Sequence, residues 1–276
     1  MSELQVSSEV FQNQPCLRLH HVCGDTVLVA LYGAHILSWT SGGKERLYLS
    51  PQAVFDGHAA LRGGVPICFP QFNMRGSLPK HGFARTSAWT SLAADDALEL
   101  QLHSSPATLG IWPHAFTATL RIEIAPGTLQ FAFTVDNTGP EPLNFALALH
   151  TYLRVHDVST VQLQGLAAQP YWDDVAQTNR LEPGTVTFDG EVDRVYQAAL
   201  EPLTLLDSGM QLRIVQSDTL ADTVVWNPGA VKCAAITDMP DTGYQQMLCV
   251  EAAQVNTPIT VAPGAQWTGW QRISVL

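Results

Sequence analysis

Positive charge is scarce in this chain: 14 Lys and Arg stand against 25 Asp and Glu in 276 residues, a formal charge of -11. Without a long basic run, nucleic acid and an anionic membrane surface are excluded as partners, because both require a positive electrostatic footprint. The first residues, MSELQVSSEVFQNQP, lack the cationic start and apolar run of a secretory signal, and no stretch reaches the length of a membrane span. The expectation is a soluble cytoplasmic protein. Cysteine is sparse and scattered, at Cys16, Cys23, Cys68, Cys233 and Cys249, with no CxxC or mixed Cys/His ligand spacing. Buried, reduced thiols are expected rather than a disulfide framework. HxH, HExxH, GxSxG, P-loop and strand-to-helix GxGxxG patterns are all absent, and the adjacent His20 and His21 of a strand would face opposite sides. No metal or redox cofactor is therefore expected.

Long helical periodicity is missing too, and period-2 alternation stands in its place. In 119–139, Leu120, Ile122 and Ile124 alternate with more polar residues, Pro126 and Gly127 make a turn, and Leu129, Phe131, Phe133 and Val135 resume the alternation. That pattern predicts a hairpin. Similar runs occur at 26–43, 97–105, 143–155, 210–217 and 266–276, separated by turn residues and unbroken by repeats or low-complexity linkers. These features predict an all-β fold, a large antiparallel β-sandwich or barrel spanning 1–276 as one domain. The Gly- and Pro-rich segment 56–85 is too punctuated for a central strand and reads as a long connection.

Within that connection, Arg62 to Arg85 contains Arg62, Arg75, Lys80 and Arg85 and not one Asp or Glu. A carboxylate-free loop in an acidic protein suits an anionic ligand: arginine forks bind phosphate bidentately, and lysine adds a mobile point charge. The loop also holds His81. Three further places carry chemistry. In LNFALALHTYLRV, Ala146, Ala148, His150 and Tyr152 share one strand face, and Phe145, Leu147, Leu149, Thr151 and Leu153 share the other. Small alanines leave space beside His150, so it reads as a structural histidine or a ligand-facing one. In GYQQMLCVEAAQV, Glu251 interrupts a strand with two buried faces, where desolvation raises a carboxyl pKa towards that of a useful general base or where a partner satisfies it structurally. In GEVDRVY, Asp193 and Arg194 read as a surface pair, a turn or a binding element. Sequence spacing leaves open whether Glu251 approaches His150.

RGGVPICFPQF, LPKHGFAR, HTYLRV, GEVDRVY, DTVVWNPG, GYQQMLCVE and APGAQW, in that order from roughly residue 25 to 272, resemble the hexose-6-phosphate mutarotases (glucose-6-phosphate 1-epimerases) of the aldose 1-epimerase superfamily. The resemblance implies a galactose-mutarotase-like β-supersandwich. It implies His150 as the general acid/base at the sugar ring oxygen and Glu251 as the base at the anomeric hydroxyl. It further implies that Arg62 and Arg85 bind the phosphorylated sugar, that Asp193 contacts sugar hydroxyls and that His81 lines the same pocket. Lys80 departs from the glutamine often found there; a cation at that place would either strengthen phosphate binding or point away and leave one sugar contact unmade. The implied partner is a small sugar phosphate, used without a cofactor; a monomer is expected because no exposed apolar patch can be read from the sequence.

Overall fold

The computed structural model describes residues 3–94, 96–197 and 201–276, and turns the alternating segments into antiparallel strands. The predicted hairpin is formed by Phe116–Ala125 and Thr128–Asn137, in unbroken register from Thr128 opposite Ala125 to Asn137 opposite Phe116. It lies in an eight-stranded sheet, ordered Gln162–Gln164, Leu203–Asp207, Met210–Gln216, Gln266–Val275, Thr128–Asn137, Phe116–Ala125, Leu98–His103, Thr90–Leu92. A second sheet runs Thr178–Leu181, Pro170–Asp173, Val192–Tyr196, Asp222–Asn227, Met247–Val261, Leu143–Leu149, Ile67–Cys68, and Tyr152–Arg154 also pairs with Met247–Val261. A five-stranded sheet from Leu4 to Glu45 completes the architecture.

The inward faces of both large sheets share one hydrophobic cluster. Leu120, Ile122, Phe131, Phe133 and Val135 enter it from the first sheet, and Phe145, Leu147, Leu149, Leu248, Val250 and Ala252 from the second. The alternation predicted these sides because a strand sends successive side chains to opposite faces. The described α-helices, Pro106–Ile111 and Gly229–Cys233, are short, and no described helix is long and apolar enough to cross a membrane. Four of the five cysteines are buried, but Cys23 is exposed beside a turn, which corrects the expectation for that residue.

The strand expected through 143–155 is bent at His150 and Thr151, between Leu143–Leu149 and Tyr152–Arg154. Its register is nevertheless kept, with Leu149 opposite Ala252 and Tyr152 opposite Cys249. At the bend the Thr151 N–H turns back to the Leu149 carbonyl, 2.8 Å away, while Val250 N–H still donates to the Thr151 carbonyl. Gln271 from the opposing sheet repairs the gap: its Nε2 donates to the Val250 carbonyl at 3.0 Å and its Oε1 accepts from the Thr151 hydroxyl at 2.5 Å. A buried carbonyl without a partner is costly, so this polar strut between sheets makes the bend affordable.

Candidate active site

Because the register continues through the bend, His150 stands directly opposite Glu251, and Val224 flanks Glu251 on the other side. The outer face of the second sheet carries two apolar patches. One contains Cys68, Ala148, Val195, Val224 and Ala253. The other contains Tyr48, Tyr152, Met239, Met247 and Cys249. His150 and Glu251 lie between them in strand order, forming a polar row in an otherwise apolar floor. Glu251 is 1% and His150 8% exposed. Their nearest atoms, His150 Nδ1 and Glu251 Oε1, are 3.2 Å apart. That contact is not a hydrogen bond, and both Nδ1 and the other carboxylate oxygen, Oε2, are buried without a partner. Such orphaned polar atoms are rare in folded proteins unless a ligand or function uses them.

The imidazole is oriented by rings. It stacks on Tyr152 with centroids 4.8 Å apart and planes 9° apart, and meets Trp226 and His81 edge-on. Burial pushes the Glu251 carboxyl well above its ordinary range, and the Asp193 carboxylate adds to this. Burial also pushes His150 well below its range, helped by His81, Arg85 and Arg62. In the free protein both effects favour the uncharged pair, with its proton on Glu251.

The connection 62–85 closes over this floor. Arg62 Nε donates to Asp238 at 3.0 Å, and its Nη1 donates to the Tyr152 hydroxyl at 3.2 Å. Asp238 arrives on the segment after Asn227. The Asn227 side chain anchors that segment by donating to the Tyr244 and Met247 carbonyls and accepting from Gly229 N–H. His81 has φ 62° and is locked to Asn73 by two bonds, its N–H to the Asn73 carbonyl and Asn73 N–H to its Nδ1. A ring whose Nδ1 accepts carries its proton on Nε2, so His81 is a fixed neutral donor. Burial and the nearby Arg85, Lys80 and Arg62 lower its pKa to about 3, in keeping with that role.

The pocket over the pair is lined by Arg62, Phe72, Asn73, Lys80, His81, His150, Asp193, Val224, Trp226, Lys232 and Glu251. The structure thus brings together six of the residues expected from sequence and adds Lys232. Arg85 is the exception: it does not line the pocket, and its Nη2 donates to the Lys80 carbonyl at 2.9 Å. That bond ties one end of the guanidinium to the loop backbone beside Lys80, while its Nε is buried without a partner. Asp193 lies within the strand Val192–Tyr196, not in a turn, and Arg194 pairs with Glu182 instead of with Asp193. Lys232 was hidden in the sequence because a single lysine after a turn carries no pattern; tertiary packing alone brings it to the rim. It is paired with Glu191 at 2.6 Å. Arg62 is paired with Asp238. Among the described residues Lys80 has no acidic partner, and burial together with Arg85, Lys232 and Arg62 lowers its pKa.

His150, Cys249 and Glu251 place one ligand atom each within 4.8 Å of one another and are the described residues that could hold a metal ion. Burial pushes both the Cys249 thiol and the Glu251 carboxyl well above their ordinary ranges, which works against the deprotonated forms that bind a metal ion.

Asp193 carries a stability cost. Burial, followed by the Asp174 carboxylate, raises its pKa from 3.8 to about 6. The folded protein then binds more protons than the unfolded chain between those values, so stability falls as pH rises through that window. Asp193→Asn is expected to remove this fall and to raise stability at pH 7 by on the order of 2 kcal/mol, after discounting for partial exposure. Urea unfolding of both proteins at pH 4 and pH 7 measures it; equal pH dependence would show that Asp193 is not strained by burial.

An imidazole and a carboxyl group opposed in a buried floor, beneath a fixed donor and a lysine without an acidic partner among the described residues, have the residue types of an acid/base site. The family model described as aldose 1-epimerase matches residues 15–274, and the chain belongs to that family. A curated protein of Cenchrus ciliaris named "Putative glucose-6-phosphate 1-epimerase" is 38% identical over 258 residues, covering 87% of this chain and 78% of the relative. A protein of the same name from Escherichia coli (strain K12) is 35% identical over 235 residues, covering 81% of this chain and 78% of that one. The crystal structure of "a putative mutarotase" from Salmonella typhimurium superposes with a TM-score of 0.89 at 31% identity, covering 98% of this chain and 93% of that one. A galactose 1-epimerase structure from Lactobacillus acidophilus, 14% identical with TM-score 0.74, shares the fold.

Proposed function

We propose that this protein interconverts the α and β anomers of a hexose 6-phosphate, glucose 6-phosphate foremost. The observation that carries the reading is the His150–Glu251 pair, opposed in register and 3.2 Å apart, beneath Lys80, which has no acidic partner among the described residues. Substrate binding favours moving the pair's proton to His150, because the anomeric O1–H donates to a carboxylate and the ring oxygen accepts from an imidazolium. Glu251 then removes the O1 proton while His150 protonates the ring oxygen, so the C1–O5 bond breaks and the open aldehyde forms. Rotation about C1–C2 presents the other face of the carbonyl. Glu251 returns a proton to O1 as O5, losing its proton to His150, closes on C1. Atoms and charge balance within the pair, so the reaction consumes no co-reactant. His81 Nε2–H and Asp193 supply hydrogen bonds to the hydroxyls, and Lys80, Arg62 and Lys232 hold the phosphate.

Lys80→Ala is expected to raise KM for glucose 6-phosphate roughly 10-fold with kcat little changed, the loss of one charge-assisted hydrogen bond that binds ground and transition states alike. An unchanged KM would move the phosphate elsewhere. The reading as a whole is tested by magnetisation-transfer NMR of anomer exchange with glucose 6-phosphate, glucose and galactose in parallel. Exchange accelerated for the phosphate ester is the expected result. Acceleration of the free sugars alone would remove the phosphate, and no acceleration of any sugar would make the fold a carbohydrate-binding module.

A further inference from the structure

A cleft of about 590 Å³ lies elsewhere on the molecule and shares no lining residue with the active site. Its walls include Lys44, Arg46, Arg154, His156, Asp207 and Gln211. Arg46 is 7% and Asp207 5% exposed. Among the buried polar atoms without a hydrogen-bond partner are Arg46 Nε, Arg154 Nε and Asp207 Oδ1, all three in the walls of this cleft. Neither arginine has an ion pair among the described residues. Among the described residues the Arg46 guanidinium donates only to the Ser41 carbonyl, at 3.1 Å, and that of Arg154 sits over the Tyr48 ring at 5.8 Å.

The neighbouring carboxylates make no ion pair with them among the described residues. Glu45 Oε1 is taken by the backbone N–H groups of Trp39, Arg46 and Leu47, and its Oε2 by the Ser38 hydroxyl. Asp207 Oδ2 accepts from His156 N–H at 2.7 Å, which leaves Oδ1 facing the same problem as the arginines with the opposite sign. The buried Arg46 and the half-buried Arg154, each without an ion pair among the described residues, and the buried Asp207 Oδ1, without a donor, surround one cleft as an incomplete set of a kind that folding alone does not favour. A ligand completes it if it offers an anionic group to the arginines and a hydroxyl to Asp207.

We propose that this cleft is a second binding site, separate from the catalytic pocket, for a small hydroxylated anion of the phosphate-ester or hydroxycarboxylate kind. The arginines take the anionic group in the fork geometry that suits phosphate and carboxylate, and Asp207 Oδ1 accepts from the hydroxyl. Because the hydroxyl is part of the recognition, inorganic phosphate alone binds more weakly than its esters.

The test uses the full chain and follows the Arg46 and Arg154 Nε–H resonances by NMR during titration with 3-phosphoglycerate, citrate and inorganic phosphate. Both resonances are expected to shift and saturate with at least one of the two hydroxylated probes, and to do so equally in Lys80→Ala, whose lesion lies in the catalytic pocket. The responding probe distinguishes phosphate ester from hydroxycarboxylate. Arg154→Gln is expected to weaken that binding 10- to 100-fold, the value of a charge-assisted bond, while leaving anomer exchange unchanged and so showing that the protein is folded. Inorganic phosphate binding as tightly as the hydroxylated probes would overturn the proposal. So would the absence of any shift at these resonances, or an equal response in Arg154→Gln.

Discussion

Glu251→Gln is expected to lower kcat for anomer exchange of glucose 6-phosphate by roughly 10²- to 10⁴-fold, the range of a positioned general base, with KM nearly unchanged. Glutamine keeps the shape of the side chain in a site that is 1% exposed, so no cavity forms, but an amide cannot take the O1 proton. The same change should not destabilise the protein. Burial raises the folded-state pKa of Glu251, so the stability tied to that proton is present at low pH and lost as pH rises through the raised value. The neutral amide escapes that loss. Because His150 and Glu251 exchange one proton, adding His150→Gln to Glu251→Gln should cost little beyond the worse single variant. Full activity in Glu251→Gln, measured by magnetisation transfer, would overturn the assignment; multiplicative losses would mean that the two groups act independently.

Gly82→Ala is expected to cost about 2–4 kcal/mol of stability and roughly 5–15 °C in Tm. Gly82 has φ +68°, and a Cβ there would lie 2.1 Å from the Phe69 carbonyl oxygen and 2.6 Å from Pro70 N. These are backbone atoms that cannot swing aside. The same Phe69 oxygen accepts from Phe83 and Ala84 N–H, at 3.0 and 3.2 Å, so displacing it disturbs the turn that presents Lys80 and His81. A rise in KM should accompany the lower Tm. Gly264 provides the control, since it also has positive φ, +71°, but nothing lies within 4 Å of its missing Cβ. Calorimetry should find Gly264→Ala much the milder; equal losses would mean that φ strain, and not the contact with Phe69, dominates at Gly82.

Strand alternation made the sheets readable because each face of a strand reports its own environment every second residue. The hairpin across Pro126–Gly127 and the two faces around His150 follow that logic directly. The bend at His150 and Thr151 does not, since its stability depends on Gln271, 120 residues beyond Thr151. The Gly- and Pro-rich loop stood out as a candidate binding element by its missing carboxylates, and it does line the pocket. Which of its cations lines the pocket was not legible, because that depends on where the folded backbone turns Arg85 and Lys80. The structure seats Arg85 on the Lys80 carbonyl and leaves Lys80 in the pocket wall. Asp193 looked like half of a local ion pair until Glu182, 12 residues from Arg194, claimed the arginine. Lys232 reached the rim through the anchoring of Asn227, a contact that no local pattern announces.

His150 and Glu251 occupy opposed positions on neighbouring strands, so their separation is set by the roughly 4.8 Å spacing of a β-ladder. The rim is built otherwise, with Lys80 and His81 from one connection and Lys232 from another. On the proposed function, proton transfer and phosphate binding therefore reside in separable lengths of chain. A descendant of this protein could exchange its rim loops, and with them the anionic group they are proposed to hold, while inheriting the His150–Glu251 pair untouched.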